Sequence, residues 1–250
     1  MCVGRVPQST MRGCERCGEA LNLNLDMEDI RFAGMLAEGL LCRECRMVPP
    51  AYDRAVSFTT YEDEMRTLIR LLKFADVRAL AYPLGDQLAK VILTLEAQAA
   101  CELLVIAVPL HKVRERQRGY NQSVLLAERA MQRLKVLRPH WGLTAAHTTL
   151  VRKRQTESQF VLSRKGRRRN LSGAFAVVGH VTGREVLLVD DILTSGATAR
   201  ECALVLKAAG ASRVWVATVA RAQKQAILRQ HEDPGDIVAR WDRIVTDQVQ

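Results

Sequence analysis

The stretch Val186-Leu187-Leu188-Val189-Asp190-Asp191-Ile192-Leu193-Thr194-Ser195-Gly196-Ala197-Thr198 sets an apolar run, an acidic pair, a small polar loop and a helix start in direct succession. A run of large apolar residues with no polar alternation suits a strand buried on both faces, as in a parallel sheet. Thr194, Ser195, Gly196 and Thr198 offer backbone N–H groups and hydroxyls at a helix N-terminus, where a phosphate group is readily cradled. Ile192, Leu193 and Ala197 complete that strand–loop–helix segment, and Gly196 permits close backbone approach. Asp190 and Asp191 lie just upstream, where carboxylates accept hydrogen bonds from ribose hydroxyls or reach a Mg²⁺ shared with a second phosphate. The plainer reading is an ordinary turn with two solvated acids. A strand ending in acids also occurs in P-loop nucleotide hydrolases, but neither GxxxxGK[ST] nor GxGxxG is present in the chain.

Outward from this stretch the pattern repeats. Residues 197–209 read as a helix closing at Gly210, and 213–220 as a further buried strand. Leu103-Leu104-Val105-Ile106-Ala107-Val108 is a second continuous apolar run, ended by Pro109. Residues 55–61 suit a strand, and helices are expected over 63–74, 84–99 and 121–135; the first carries Met65, Leu68, Ile69 and Leu72 on one face. Strand, helix and strand alternate, which predicts an α/β fold with a parallel sheet flanked by helices on both faces. Binding sites are then expected beyond the carboxyl ends of the strands. Pro49-Pro50 marks a boundary before the sheet, and after Ala222 the chain turns polar, with a helix-compatible stretch over 237–245.

The chain has 250 residues, 48% hydrophobic and 26% charged, enough to bury a core and too apolar for intrinsic disorder. The richest apolar stretch, 88–110, is broken by Lys90, Glu96 and Glu102, so no membrane insertion is expected. The first residues lack the apolar core of a signal peptide, and Cys2 stands where N-myristoylation needs glycine. A cytoplasmic location follows as the expectation, and structural disulfides are rare there. Residues 1–10 read as an over-long start. The cysteines therefore call for another explanation. Cys14 and Cys17 form one CxxC, Cys42 and Cys45 a second, and two such turns complete the tetrahedron that Zn²⁺ prefers. A single CxxC is also compatible with a redox pair. A closed four-cysteine site has no open coordination position, so it carries no catalytic role. Cys2, Cys101 and Cys202 read as incidental or buried thiols.

The net charge of +10 is local: residues 111–170 hold 16 Lys and Arg against three acidic residues, and the other 190 residues hold 21 basic against 24 acidic. Many of these charges form a solvated face. Two clusters look more directed, Lys112, Arg114, Arg116 and Arg118 after the 103–108 strand, and Arg152, Lys153 and Arg154 with Gln155 and Thr156. Guanidinium forks suit a diphosphate. Tyr120, Trp141, Phe160 and Phe175 lie among the basic residues, as stacking platforms for a single strand would, although Trp141 and Phe175 serve equally well as core. No histidine cluster and no general base for a nucleobase is readable.

The 186–198 stretch resembles the phosphoribosyl-pyrophosphate (PRPP) signature of type I phosphoribosyltransferases. Together with the double CxxC, Leu72-Lys73-Phe74, Val108-Pro109-Leu110, Arg118-Gly119-Tyr120-Asn121-Gln122, Arg154-Gln155-Thr156 with Gln159, residues 167–170 and Gly173-Ala174-Phe175, it resembles the ComF family in matching order. The resemblance implies a zinc ribbon over 1–50, a phosphoribosyltransferase-like domain over 51–222 and a polar tail over 223–250. It implies that Asp190 and Asp191 meet ribose hydroxyls, that residues 192–198 hold a 5′-phosphate, and that Mg²⁺ accompanies PRPP. It places a pyrophosphate loop at 112–119 and a mobile closing loop at 152–156. Arg118, Arg152 and Lys153 are the candidates for stabilising a departing pyrophosphate, and Lys73 is a weaker phosphate ligand. A role in natural competence is implied, with single-stranded DNA met by Lys112, Arg114, Arg116, Arg118 and Tyr120, and a competence helicase as a further partner. The alternatives are a working transferase that passes ribose 5-phosphate to a nitrogen acceptor without touching DNA, and a non-catalytic adaptor docking through its zinc module.

Overall fold

The structure, a computed structural model, describes residues 13–21, 40–154 and 171–223. The expectations for residues 1–10, Gln155, Thr156, Gln159, Phe160, residues 167–170 and the tail from 224 onward lie outside these. In chain order the strands are β1 (Arg54–Thr60), β2 (Glu102–Ala107), β3 (Gly142–Ala145), β4 (Leu150–Arg152), β5 (Phe175–Val177), β6 (Glu185–Leu193) and β7 (Arg213–Arg221). The helices are α1 (Arg43–Met47), α2 (Asp63–Phe74), α3 (Ala81–Ile92), α4 (Lys112–Arg118), α5 (Gln122–Leu137) and α6 (Ala197–Ala208).

Five of the strands form one sheet in the order β1-β7-β6-β2-β3, and every neighbouring pair is parallel. β4 and β5 form a separate antiparallel pair. The apolar runs are explained by burial on both faces: Leu103, Val105, Ile106, Val186, Leu187, Leu188, Val189, Val214 and Val216 are at most 1% exposed. One face is covered by α2, α3 and α5, which pack Ile69, Leu72, Leu88, Ile92, Leu126 and Leu134 against Leu187 and Val189. The other is covered by α6, through Cys202 and Leu206 on Val186, Leu188 and Val214, and by the four cysteines of the N-terminal module. Each such aliphatic side chain contributes about 1.5–3 kcal/mol when fully buried.

One expected element is shifted. The helix expected over 84–99 begins at Ala81, with Pro83 in its first turn where no N–H is needed, and its α-helical part ends at Ile92. A 3-10 turn, Leu93–Leu95, follows, and the Thr94 hydroxyl donates to the Val91 carbonyl at 2.7 Å, a local bond that competes with helix continuation. Among the described residues no helix is long and apolar enough to cross a membrane.

The strand order fixes where a ligand can enter. From β2 the chain moves outward to β3, and from β6 it moves the opposite way to β7, so the carboxyl ends of β2 and β6 flank a switch point with a crevice above it.

Candidate functional site

The acidic pair is inside a strand rather than after one. β6 continues past the apolar run because β7 runs alongside to its end, pairing Asp190 with Thr218, Ile192 with Ala220 and Leu193 with Arg221. Both carboxylates are thereby held by a rigid backbone at the carboxyl end of the central strand. Asp190 Oδ1 accepts from Ser123 Oγ at 2.9 Å and from the Asp191 amide at 2.9 Å. Ser123 opens α5, beyond β2, so this bond crosses the crevice. Asn121 caps the same helix, accepting from the Ser123 amide at 2.9 Å while its own Nδ2 donates to the Val108 carbonyl at 3.0 Å.

Asp191 Oδ1 is 2.9 Å from Lys73 Nζ, with side chains only 4% and 19% exposed. Lys73, which sequence alone marks as a weak candidate, is thus a component of the site, delivered by the last turn of α2. The second oxygen, Asp191 Oδ2, is buried and has no hydrogen-bond partner among the described residues. A buried pair of this kind is poor value for stability, because desolvation offsets most of the attraction. An unsatisfied acceptor beside it costs more. Burial, and then the neighbouring charge of Asp191, push the Asp190 carboxyl up to about 7, against the opposing pull of Lys73.

Past the acids, Gly196 caps α6 with φ 72°, the left-handed region that glycine enters without strain. A Cβ there would lie 3.7 Å from the Tyr52 hydroxyl. The Ala197 amide donates to Ser195 Oγ at 3.4 Å, and the first turn of α6 carries no acidic residue. The positive end of a 12-residue helix therefore faces the Thr194-Ser195-Gly196 loop with no carboxylate in the helix's own first turn to neutralise it.

The basic segments depart from expectation. Residues 112–119 were expected as an irregular pyrophosphate loop. Lys112–Arg118 instead forms helix α4, capped by His111 Nδ1, which accepts from the Val113 amide at 3.4 Å, and closed by Gly119 at φ 76°. Lys112 and Arg116 are exposed, and Arg114 and Arg118 are half-buried. Arg118 donates to Gln122 Oε1; burial lowers its pKa, and the Asp191 charge opposes the shift. Arg152 was expected in a mobile loop but ends β4, opposite Phe175 of β5, with its guanidinium 5.4 Å from that ring centre. Burial, then repulsion from Arg114, lower its pKa, while the Asp190 charge works the other way. Arg152 therefore feels the charges of Arg114 and Asp190, both remote from it in sequence. Lys153 is exposed, and its amide donates to the Ala174 carbonyl at 2.8 Å.

The aromatic residues sort differently from the sequence reading. Tyr120 is 8% exposed, donates its hydroxyl to the Leu72 carbonyl and has the Arg78 guanidinium 4.6 Å from its ring centre. It is a packing residue, so the expected nucleic-acid contact there is corrected. Trp141 and Phe175 are likewise core. Among the described residues two aromatics face solvent: Tyr82 of α3, 62% exposed with Arg129 5.2 Å from its ring centre, and Phe74, 67% exposed with Arg118 of α4 5.3 Å from its ring centre. Its signal was available: it follows Lys73 and lies off the Met65-Leu68-Ile69-Leu72 stripe of α2.

The four cysteines converge as their spacing predicts. Cys14, Cys17, Cys42 and Cys45 are buried, and their sulfurs all lie within 4.8 Å of one another. A tetrahedral ion with metal–sulfur bonds of about 2.3 Å sets its sulfurs about 3.8 Å apart, and Cys17 Sγ and Cys42 Sγ are 3.8 Å apart. Cys42 caps α1, and its sulfur accepts from the Cys45 amide at 3.5 Å. The donor set fits a zinc-ribbon module. Two arginines of the sheet domain approach it: Arg221 Nη2 is 3.5 Å from Cys17 Sγ and 2.6 Å from Glu19 Oε2, and Arg200 Nη2 is 3.9 Å from Cys45 Sγ. Arg200 also donates to the Val48 carbonyl at 2.6 Å. A small pocket between the two parts is lined by Cys45, Tyr52, Ser195, Gly196 and Arg200, so the four-cysteine cluster backs directly onto the Thr194-Ser195-Gly196 loop.

The chain is similar in sequence to a known family. Residues 81–247 match the phosphoribosyl transferase domain. The chain is 33% identical over 180 residues to DNA utilization protein YhgH of Salmonella typhimurium, covering 71% of this chain and 76% of that one. It is 30% identical over 186 residues to Competence protein F of Haemophilus influenzae, covering 72% and 78%. Among solved structures, a hypoxanthine phosphoribosyltransferase from Staphylococcus aureus aligns at 16% identity over 59% of this chain and 64% of that one, with a TM-score of 0.32. The chain belongs to the phosphoribosyl transferase domain family, and within it to the ComF family.

Proposed function

We propose that this protein binds PRPP or a related ribose phosphate at the carboxyl end of β6, and that it serves DNA uptake by holding single-stranded DNA on the basic face around α4. The observation that carries the ligand reading is Asp191 Oδ2, a buried carboxylate oxygen without a partner among the described residues, on the same strand that feeds the phosphate loop. A ribose hydroxyl donating to it satisfies the orphaned acceptor. The loop amides and the N-terminus of α6 take the 5′-phosphate. Asp190 and Asp191 are the residues that would hold Mg²⁺, which would neutralise charge on the diphosphate. Lys73 holds Asp191 in place, and Arg118 and Arg152 supply guanidinium donors for departing phosphate oxygens.

The names of the relatives, one a DNA utilization protein and one a competence protein, support the DNA reading. So does the concentration of positive charge between residues 111 and 170. The four-cysteine cluster is read as a structural Zn²⁺ site in a module over 1–50, against a ribose-phosphate domain over 51–222. That module is the natural docking point for a competence helicase, and the protein is placed in the cytoplasm.

Titration calorimetry with PRPP and Mg²⁺ tests the ligand site. Asp190→Asn combined with Asp191→Asn removes two charge-assisted acceptors, each worth about 1.5–3 kcal/mol, so binding is expected to weaken by about 100-fold or more. Unchanged affinity in the double variant overturns the assignment. Pyrophosphate release across a panel of bases and amines then separates a transferase from a binding protein.

A further inference from the structure

Of the two strongly exposed aromatics among the described residues, Tyr82 carries an arginine, Arg129, that is already paired with Asp86 at 2.8 Å, whereas Phe74 at the end of α2 is stacked by a residue of the basic helix α4. Its ring is 67% exposed, although apolar side chains of that size are normally covered, and Arg118 at the end of α4 lies 5.3 Å from its centre. The preceding residue, Lys73, turns the other way and holds Asp191 at 2.9 Å. Phe74 thus stands on the rim of the crevice, one residue from its floor. From the Phe74–Arg118 stack, α4 runs back through Arg116, Arg114 and Lys112, with Glu115 its one acidic residue. A flat apolar ring at one end of a short basic helix presents a surface for a base and, beside it, a row of cations for phosphates.

We infer that Phe74, braced by Arg118, is the stacking platform for one nucleobase of a single strand whose backbone lies along α4. This rests on the single-strand reading above and names the residue on which a base is held. Tyr120, Trp141 and Phe175 cannot take this role, because their rings are buried. A duplex does not fit it, since paired bases offer no free face. The stack is indifferent to sequence, because every base has a π-face, while α4 supplies the salt-dependent part of the affinity.

Fluorescence anisotropy with a labelled thymidine oligonucleotide of about 16 nucleotides, and with an abasic strand of equal length, tests the inference on the full-length protein. Phe74→Ala is expected to weaken binding of the thymidine strand roughly 5- to 100-fold, the range for loss of one base–aromatic stack, and to leave the abasic strand and the salt slope unchanged. Phe74→Trp is expected to restore the affinity, with its indole fluorescence quenched by the strand. Lys112→Gln with Arg116→Gln is expected to weaken both strands alike and to flatten the salt slope. Equal binding of the thymidine strand by wild type and Phe74→Ala, or an equal loss on both strands, overturns the platform. So does Phe74-dependent binding of free thymine that leaves the strand unaffected. If wild type binds neither strand at low salt, the single-strand reading itself fails, an outcome distinct from loss of the platform alone.

Discussion

Chelation of protein loaded with Zn²⁺ at the four-cysteine cluster is expected to lower the melting temperature by about 10 °C or more and to loosen the Thr194-Ser195-Gly196 loop at the same time. Structural zinc contributes about 10–16 kcal/mol to the folding of small peptides. Part of the module's stability here comes from packing on the sheet, so a loss of about 5 kcal/mol or more is the reasonable expectation, at about 2–4 °C per kcal/mol for a chain of this size. The coupling to the loop is geometric. Without a metal, four buried sulfurs face two guanidinium groups with no ion to order them, and α1 loses the cap that Cys42 provides. Arg200 then loses its contacts with Cys45 and Val48, and it sits one turn into the helix whose N-terminus forms the loop. Tyr52, packed beneath Gly196, loses the cysteine side of its pocket. The measurements are zinc release, expected at about one ion per chain from the tetrahedral donor set, a calorimetric melt, and hydrogen exchange at residues 194–200. Full release of the ion with an unchanged melt rules out a structural cluster. A lowered melt with unchanged exchange at the loop rules out the coupling.

What could be read from the sequence follows physical range. α2 was legible to the residue because its apolar stripe is a local, periodic signal, and the apolar runs of β2, β6 and β7 announced a parallel sheet because burial on both faces leaves no alternation. The cysteine spacing announced the convergence of the four sulfurs. Contacts between distant segments were not legible. Nothing in the sequence pairs Lys73 with Asp191, Ser123 with Asp190, or Arg221 with Glu19 and Cys17; these exist only once the sheet order brings the segments together. α4 was misread because Lys-Val-Arg-Glu-Arg-Gln-Arg has one apolar residue and hence no hydrophobic period, although His111 and Gly119 stand where a cap and a left-handed stop belong. The acidic pair looked like loop because two aspartates are unfavourable in a strand; here the pairing of β6 with β7 overrides that preference.

Asp190→Asn is expected to stabilise the free protein at alkaline pH while weakening ribose-phosphate binding. The native carboxyl is pushed up to about 7 from an ordinary value of 3.8, chiefly by burial and secondly by Asp191. A raised acid pKa means that the fold prefers the protonated form. The stability owed to this group is therefore fully present below about pH 4, falls as pH rises toward 7, and is gone above that. At about 1.4 kcal/mol per unit, the penalty on the ionised form reaches at most about 4 kcal/mol. Lys73 compensates for Asp191 and so limits how much of it is recovered. Asparagine keeps the shape, and its amide oxygen can still accept from Ser123 and from the Asp191 amide, so the substitution removes the charge with little repacking. Thermal melts of wild type and variant from pH 4 to pH 9 should coincide at the acid end and diverge steadily through neutrality, the variant melting several degrees higher by pH 8. A difference that does not change with pH, or a variant that melts lower at pH 8, contradicts the charge penalty. Ribose-phosphate affinity should move the opposite way, because the ionised carboxylate that destabilises the empty site is the form that accepts the ligand's hydroxyl.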